Sequence, residues 1–128
     1  NNVPMHGLSH VIHKDNKDLN EGLRYKVPVV CLDNFTGLKN TGKKITAFKI
    51  DVENFEYFVL RGAEKIIREN NPIIYCELWD NENRTRCIEY LNKLGYSTFL
   101  LHKNELIDFE KSNIDKHNFF FIHNQRNN

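Results

Sequence analysis

The run Ile45 to Asn70, ITAFKIDVENFEYFVLRGAEKIIREN, restricts what this chain can fold into more than any other stretch. It opens β-rich, from Ile45 to Val52, and passes without a turn signal into helical periodicity. Phe55, Phe58, Val59, Gly62, Ala63, Ile66 and Ile67 recur at i, i+3, i+4, i+7 and i+8, which makes one apolar helix face. The spacing predicts a helix over 55–69, kinked or split near Gly62, where a small residue allows close packing on a sheet. Asn70-Asn71-Pro72 ends it, because the residue before proline disfavours the helical region and proline has no N–H to continue the ladder. Ile73 to Leu78 is then a second apolar run without alternation, the pattern of a strand covered on both faces. A right-handed crossover makes the two strands parallel neighbours. Ligands of open parallel sheets bind outside the carboxyl ends of the strands. Asp51 and Glu53 stand at one such end and Glu77 at the next.

Lys49 and Asp51 share a strand face, since side chains alternate along a strand. A charge within a covered strand is costly unless paired, so Lys49 is either a surface residue or an ammonium held by carboxylates under a ligand site. Glu56 falls in the first helical turn, where the helix dipole favours an acid whatever the function, and is read as structural.

Around this unit the pattern thins. Val27 to Leu32 (VPVVCL) is β-rich, and Pro28 makes it an edge strand or strand start. Asp33-Asn34 caps a short turn or helix ending near Gly37, and Gly42-Lys43-Lys44 is a solvated turn. Asp80 or Asn81 caps a helix with Cys87, Ile88, Leu91 and Leu94 on its apolar face, and Gly95 terminates it. Tyr96 to Leu101 is a strand, Lys103 to His117 a charged connector, and Asn118 to Ile122 the last strand. That connector is too short for a helical crossover, so the last two strands pair antiparallel. The tail from Gln125 to Asn128 frays. The expected fold class is α/β: parallel strands ending in an antiparallel hairpin, the closing half of many such folds.

With 128 residues there is one domain, residues 1–128. A net charge of +1 gives no electrostatic case for nucleic acid or an anionic membrane as partner. No apolar run has the length of a membrane span and no signal-peptide pattern opens the chain. Cys31, Cys76 and Cys87 are odd in number and set in apolar pattern, which reads as reduced thiols in a cytoplasmic compartment. The sequons at Asn34 and Asn83 are read as chance matches in an asparagine-rich chain. His6, His10 and His13 have helical spacing, but Pro4 and Gly7 argue for a loop, and no further ligand completes a metal set. The chain opens NNVP, without an initiator methionine, which leaves open that it is a piece of a longer enzyme.

Phe48-Lys49-Ile50-Asp51-Val52-Glu53-Asn54-Phe55-Glu56 followed by Val59-Leu60-Arg61-Gly62-Ala63 resembles the second half of the FkbM-type methyltransferases, a family that uses S-adenosylmethionine. Pro72-Ile73-Ile74 with Glu77, and Leu94-Gly95-Tyr96, continue the likeness in order. Upstream, Val27 to Phe35 resembles the family's VPVVTLDDF segment and Gly7-Leu8-Ser9 its G-x-S stretch, so that the similarity covers roughly residues 7 to 101. Asn54 stands where the motif has glycine; asparagine is the side chain best suited to a positive φ there.

The resemblance implies the carboxyl-terminal half of a Rossmann-like methyltransferase fold. The glycine-rich loop and ribose-binding acid that hold the cofactor belong to the other half, so this chain alone binds S-adenosylmethionine weakly and is inactive. A sheet edge left bare by absent strands would favour self-association. The implied acceptor is a hydroxyl of a sugar or similar metabolite. Asp51 and Glu53 would orient and deprotonate it, or hold a divalent cation that acidifies it, with Lys49, Glu77 and Trp79 lining the acceptor site. The competing readings are a non-catalytic α/β interaction module and a metal-dependent hydrolase using the same acids.

Overall fold

The computed structural model describes Val11 and residues 25–39, 42–114 and 116–126. His6, His10, His13 and the Gly7-Leu8-Ser9 stretch lie outside the described residues. Among the described residues five strands form one mixed sheet: β1 (Ala47–Ile50), β2 (Ile73–Glu77), β3 (Tyr96–His102), β4 (Glu105–Asp108) and β5 (Asn118–His123), in the order β1-β2-β5-β3-β4. β1 and β2 are parallel, with Lys49 beside Tyr75 and Ile50 beside Cys76, as the crossover rule requires. β5 inserts antiparallel between β2 and β3, so the expected pairing of the last two long strands is present, with Phe99 opposite Phe120.

The crossover is two helices rather than one. α2 (Glu56–Gly62) and α3 (Glu64–Asn70) meet at Ala63, whose φ of −118° and ψ of 12° break the helical path. Asp33 explains why the second helix can begin there. Its two carboxylate oxygens accept from the N–H groups of Lys65 and Ile66, each at 3.0 Å, and so satisfy the first donors of α3 from a distant part of the chain. The expected role of Asp33 as a cap of its own local turn is thereby corrected. α3 ends at Asn70, with Asn71 left-handed at φ 47° ahead of Pro72. α4 (Glu82–Lys93) starts at Asn81, whose side-chain oxygen accepts from the N–H groups of Asn83 and Arg84. It ends at Leu94 and the left-handed Gly95.

Three further expectations are corrected. Residues 27–30 are exposed and form no strand with any of the described residues, and Leu32–Asn34 is a 3-10 turn followed by α1 (Thr36–Lys39). High β propensity makes no strand where no neighbour supplies hydrogen bonds. The connector after β3 holds a strand, β4, because Lys103 and Asn104 both take positive φ (48° and 68°) and close a two-residue hairpin. Towards the carboxyl terminus, Asn124–Arg126 forms a 3-10 turn where fraying was expected from Gln125, while residues 127 and 128 lie outside the described residues.

The core lies on one face of the sheet. Ile50, Ile74, Cys76, Tyr96, Leu100, Phe119 and Phe121 face Leu60, Ala63, Ile67, Cys87 and Leu91 of the helices. Burial along β2 alternates although its sequence does not, since among the described residues only this face is fully covered. Burial pushes the thiol of Cys87 up to about 12 and raises that of Cys76 as well, so both are inert, while Cys31 is exposed. The turn at Gly95 combines a positive φ with a close neighbour. A Cβ there would sit 3.0 Å from Nε2 of His123, at φ 88°. Gly95→Ala is expected to cost about 1–2 kcal/mol, measured by urea unfolding; an unchanged midpoint would show that the turn relaxes freely.

Candidate active-site rim

β1 and β2 end side by side, and two loops leave their carboxyl ends. The first, 51–55, carries Asp51 and two consecutive left-handed residues, Glu53 (φ 48°) and Asn54 (φ 68°). The positive φ expected of Asn54 is observed. Two adjacent non-glycine residues in this region are strained unless neighbours hold them, and two side-chain bridges do so. Asn81 Nδ2 donates to Asn54 Oδ1 at 2.7 Å, while the same Asn81 caps α4 with its oxygen. Asn83 Nδ2 donates to Glu56 Oε2 at 2.6 Å, and Glu56 Oε1 accepts from the N–H of Val52 at 3.2 Å. Glu56 is only 2% exposed. The structural reading of Glu56 holds, through bridging the acid loop to α4.

Asp51 Oδ2 and Lys49 Nζ form an ion pair at 2.9 Å on the exposed side of β1. The hydrogen bond and charge of Asp51 raise the Lys49 pKa above its ordinary value. Lys49 is therefore a surface ammonium already partnered by the neighbouring acid. Glu77 is half-buried and stands opposite Asn118 in the sheet register, and Asn118 Oδ1 accepts from the hydroxyl of Tyr75 at 2.9 Å. Asp51, Glu53 and Glu77 share the rim without closing into one cluster. Among the described residues no three of His, Cys, Asp and Glu group so as to hold a metal ion.

The second loop carries Trp79, which is 44% exposed. Its ring lies 4.5 Å from that of His117, at 32°. Arg84, 8% exposed, lies behind the pair. Its Nε donates to the carbonyl of Trp79 at 3.3 Å, its Nη1 meets Asp80 at 3.2 Å, its Nη2 lies 3.5 Å from Nδ1 of His117, and its guanidinium sits 5.4 Å over Phe119. Arginine has no acceptor, so the ring nitrogen facing it acts as the acceptor. His117 and Arg84 are rim residues that sequence reading did not single out, while Asn81 entered it only as a helix cap and Asn83 only as a chance sequon. Both bridges span 27 residues, from 54 to 81 and from 56 to 83, and no local periodicity exposes a matched long-range spacing.

A family model described as the methyltransferase FkbM domain matches residues 6–98. The chain belongs to this family. No curated protein and no solved structure matches it. The rim of the FkbM domain is thus built by the motif residues Lys49 to Glu56, braced by the start of α4. No helix among the described residues is long and apolar enough to cross a membrane.

Removing the Glu56 carboxylate leaves the Val52 N–H and the Asn83 amide without their acceptor. Glu56→Ala is expected to cost about 2–4 kcal/mol, and Glu56→Gln less, since one carbonyl oxygen still serves Val52. Chemical denaturation of both variants checks this. Equal stabilities for Glu56→Ala and the parent would mean that the carboxylate braces nothing.

Proposed function

We propose that this FkbM-family chain is the acceptor side of an S-adenosylmethionine-dependent O-methyltransferase that modifies a hydroxyl of a sugar or similar metabolite. The observation that carries the reading is the braced acid loop at the carboxyl end of parallel β1, within the family match. The antiparallel insertion of β5 beside β2 supports a Rossmann-like methyltransferase sheet in which β1, at one end of the strand order, is the edge for further parallel strands or for a second molecule. Free thiols at all three cysteines fit a reducing, cytoplasm-like compartment.

In this reading the nucleoside cofactor is held mainly outside the described residues. Their glycines are Gly37, Gly42, Gly62 and Gly95, and none of these follows the carboxyl end of β1 or β2. What this chain's residues supply is acceptor chemistry. Methyl transfer to oxygen is an in-line displacement that needs a positioned hydroxyl and a group to take its proton. Glu53, lifted off the strand by its left-handed backbone, is the acid offered as base. Asp51, tied to Lys49, orients the hydroxyl and keeps a negative charge beside it. Trp79 and Glu77 form the wall on the β2 side.

The test is methyl transfer from radiolabelled S-adenosylmethionine to a panel of hydroxylated acceptors by the complete enzyme. Asp51→Asn and Glu53→Gln are expected to fold normally and to lose about a hundredfold in turnover. Unchanged turnover in both variants would remove these acids from the mechanism.

A further inference from the structure

Beside the acid loop, on the outer surface of α2 and α4, two arginines converge on one aromatic group. The guanidinium of Arg86 lies 4.1 Å over the Tyr57 ring and 5.6 Å from that of Phe58. Arg61 reaches back one helical turn, donating from Nη1 to the Tyr57 hydroxyl at 3.1 Å, with its guanidinium 5.6 Å over Tyr90. Among the described residues neither guanidinium has a carboxylate within ion-pair distance. The nearby Glu64 is engaged by Arg68 and by the Tyr90 hydroxyl. The two cations lower the Tyr57 pKa, chiefly through the Arg61 hydrogen bond. Arg61 also lines a surface hollow of about 510 Å³. There Lys65 and Arg68 are paired with Glu69 and Glu64, and Asp33 is spent on capping α3.

The position ties this pair to the rim. Helix side chains lean toward the amino end of their helix. Both guanidinium groups therefore lie level with Tyr57, the second residue of α2, directly after the acid loop. Arg86, stacked over Tyr57, offers its N–H edge, and Arg61 offers the N–H groups not given to the Tyr57 hydroxyl, so the pair presents donors of the kind that grip a phosphoryl group. We propose that Arg61 and Arg86 form a phosphoryl-binding site, and that the acceptor is a phosphorylated sugar or related metabolite whose anionic group docks there while its hydroxyl reaches the acid loop. The anion site stands on the arginine pair alone; its assignment to the acceptor rests on the methyl-transfer reading above.

The probes are glucose 1-phosphate, inorganic phosphate and glucose, titrated into the full chain by calorimetry at low and high salt, with phosphatidylglycerol vesicles as a separate arm. Glucose 1-phosphate and inorganic phosphate are expected to bind in a salt-sensitive manner and glucose not to bind. Arg61→Gln with Arg86→Gln is expected to weaken glucose 1-phosphate at least about tenfold. Tyr57→Phe, which keeps the ring and removes only the tether of Arg61, is expected to weaken it by a smaller factor, and unfolding curves establish that each variant is folded. No binding by the parent chain, equal affinity in the double variant, or binding to vesicles without binding to glucose 1-phosphate would overturn the site. Any of these leaves the methyl-transfer reading in place, because that depends on Asp51 and Glu53.

Discussion

One buried carboxylate holds the functional end of this molecule together. Glu56 accepts from the backbone of Val52 with one oxygen and from the Asn83 amide with the other. An acid so enclosed is tolerable only when its lone pairs are met, and here they are met by the loop it must shape and the helix it must reach. The Asn81–Asn54 bridge repeats the device one layer outward. Between them the two bridges fix a pair of left-handed residues that the backbone alone would abandon. The position of Asp51 and Glu53 relative to Trp79 follows from this bracing, because it locks the loop after β1 to the helix after β2. An asparagine at position 54 gives up glycine's freedom and gains a side-chain oxygen for the bridge.

Features set by local rules were legible in the sequence. The parallel pairing of β1 with β2 follows from strand, helix and strand in succession, and the cap at Asn81, the stop before Pro72 and the terminator Gly95 from short-range backbone chemistry. Features that need a partner were not. VPVV has strand propensity but, among the described residues, no strand beside it, and it is exposed. β4 is a short ELID segment that becomes a strand because the backbone at Lys103 and Asn104 folds it back on β3. Asp33 looked like a local cap and instead serves a helix more than thirty residues away.

The candidate site divides along the same line. Asp51, Glu53 and Trp79 were placed at the rim by the logic of parallel sheets, which puts loops after parallel strands at one end. His117 arrives from the opposite direction, at the start of an antiparallel strand. Its backbone carbonyl accepts from the N–H of Leu78 at 2.6 Å, which is what brings its ring against Trp79. An isolated histidine in a charged connector carries no sequence mark of that destination. Arg84 is similar: its helix was foreseen, yet its burial behind the Trp79–His117 pair depends on β5 lying next to β2.

The Trp79–His117 stack has an optical consequence. Trp79 is the sole tryptophan of the chain, so all of its indole emission originates at the rim. Its indole is partly open to solvent and otherwise stacked on the His117 ring, so a molecule entering the rim changes the surroundings of the emitter. The protein thus carries an intrinsic fluorophore at the mouth of its own candidate site, sensitive to solvent and ligand without any label.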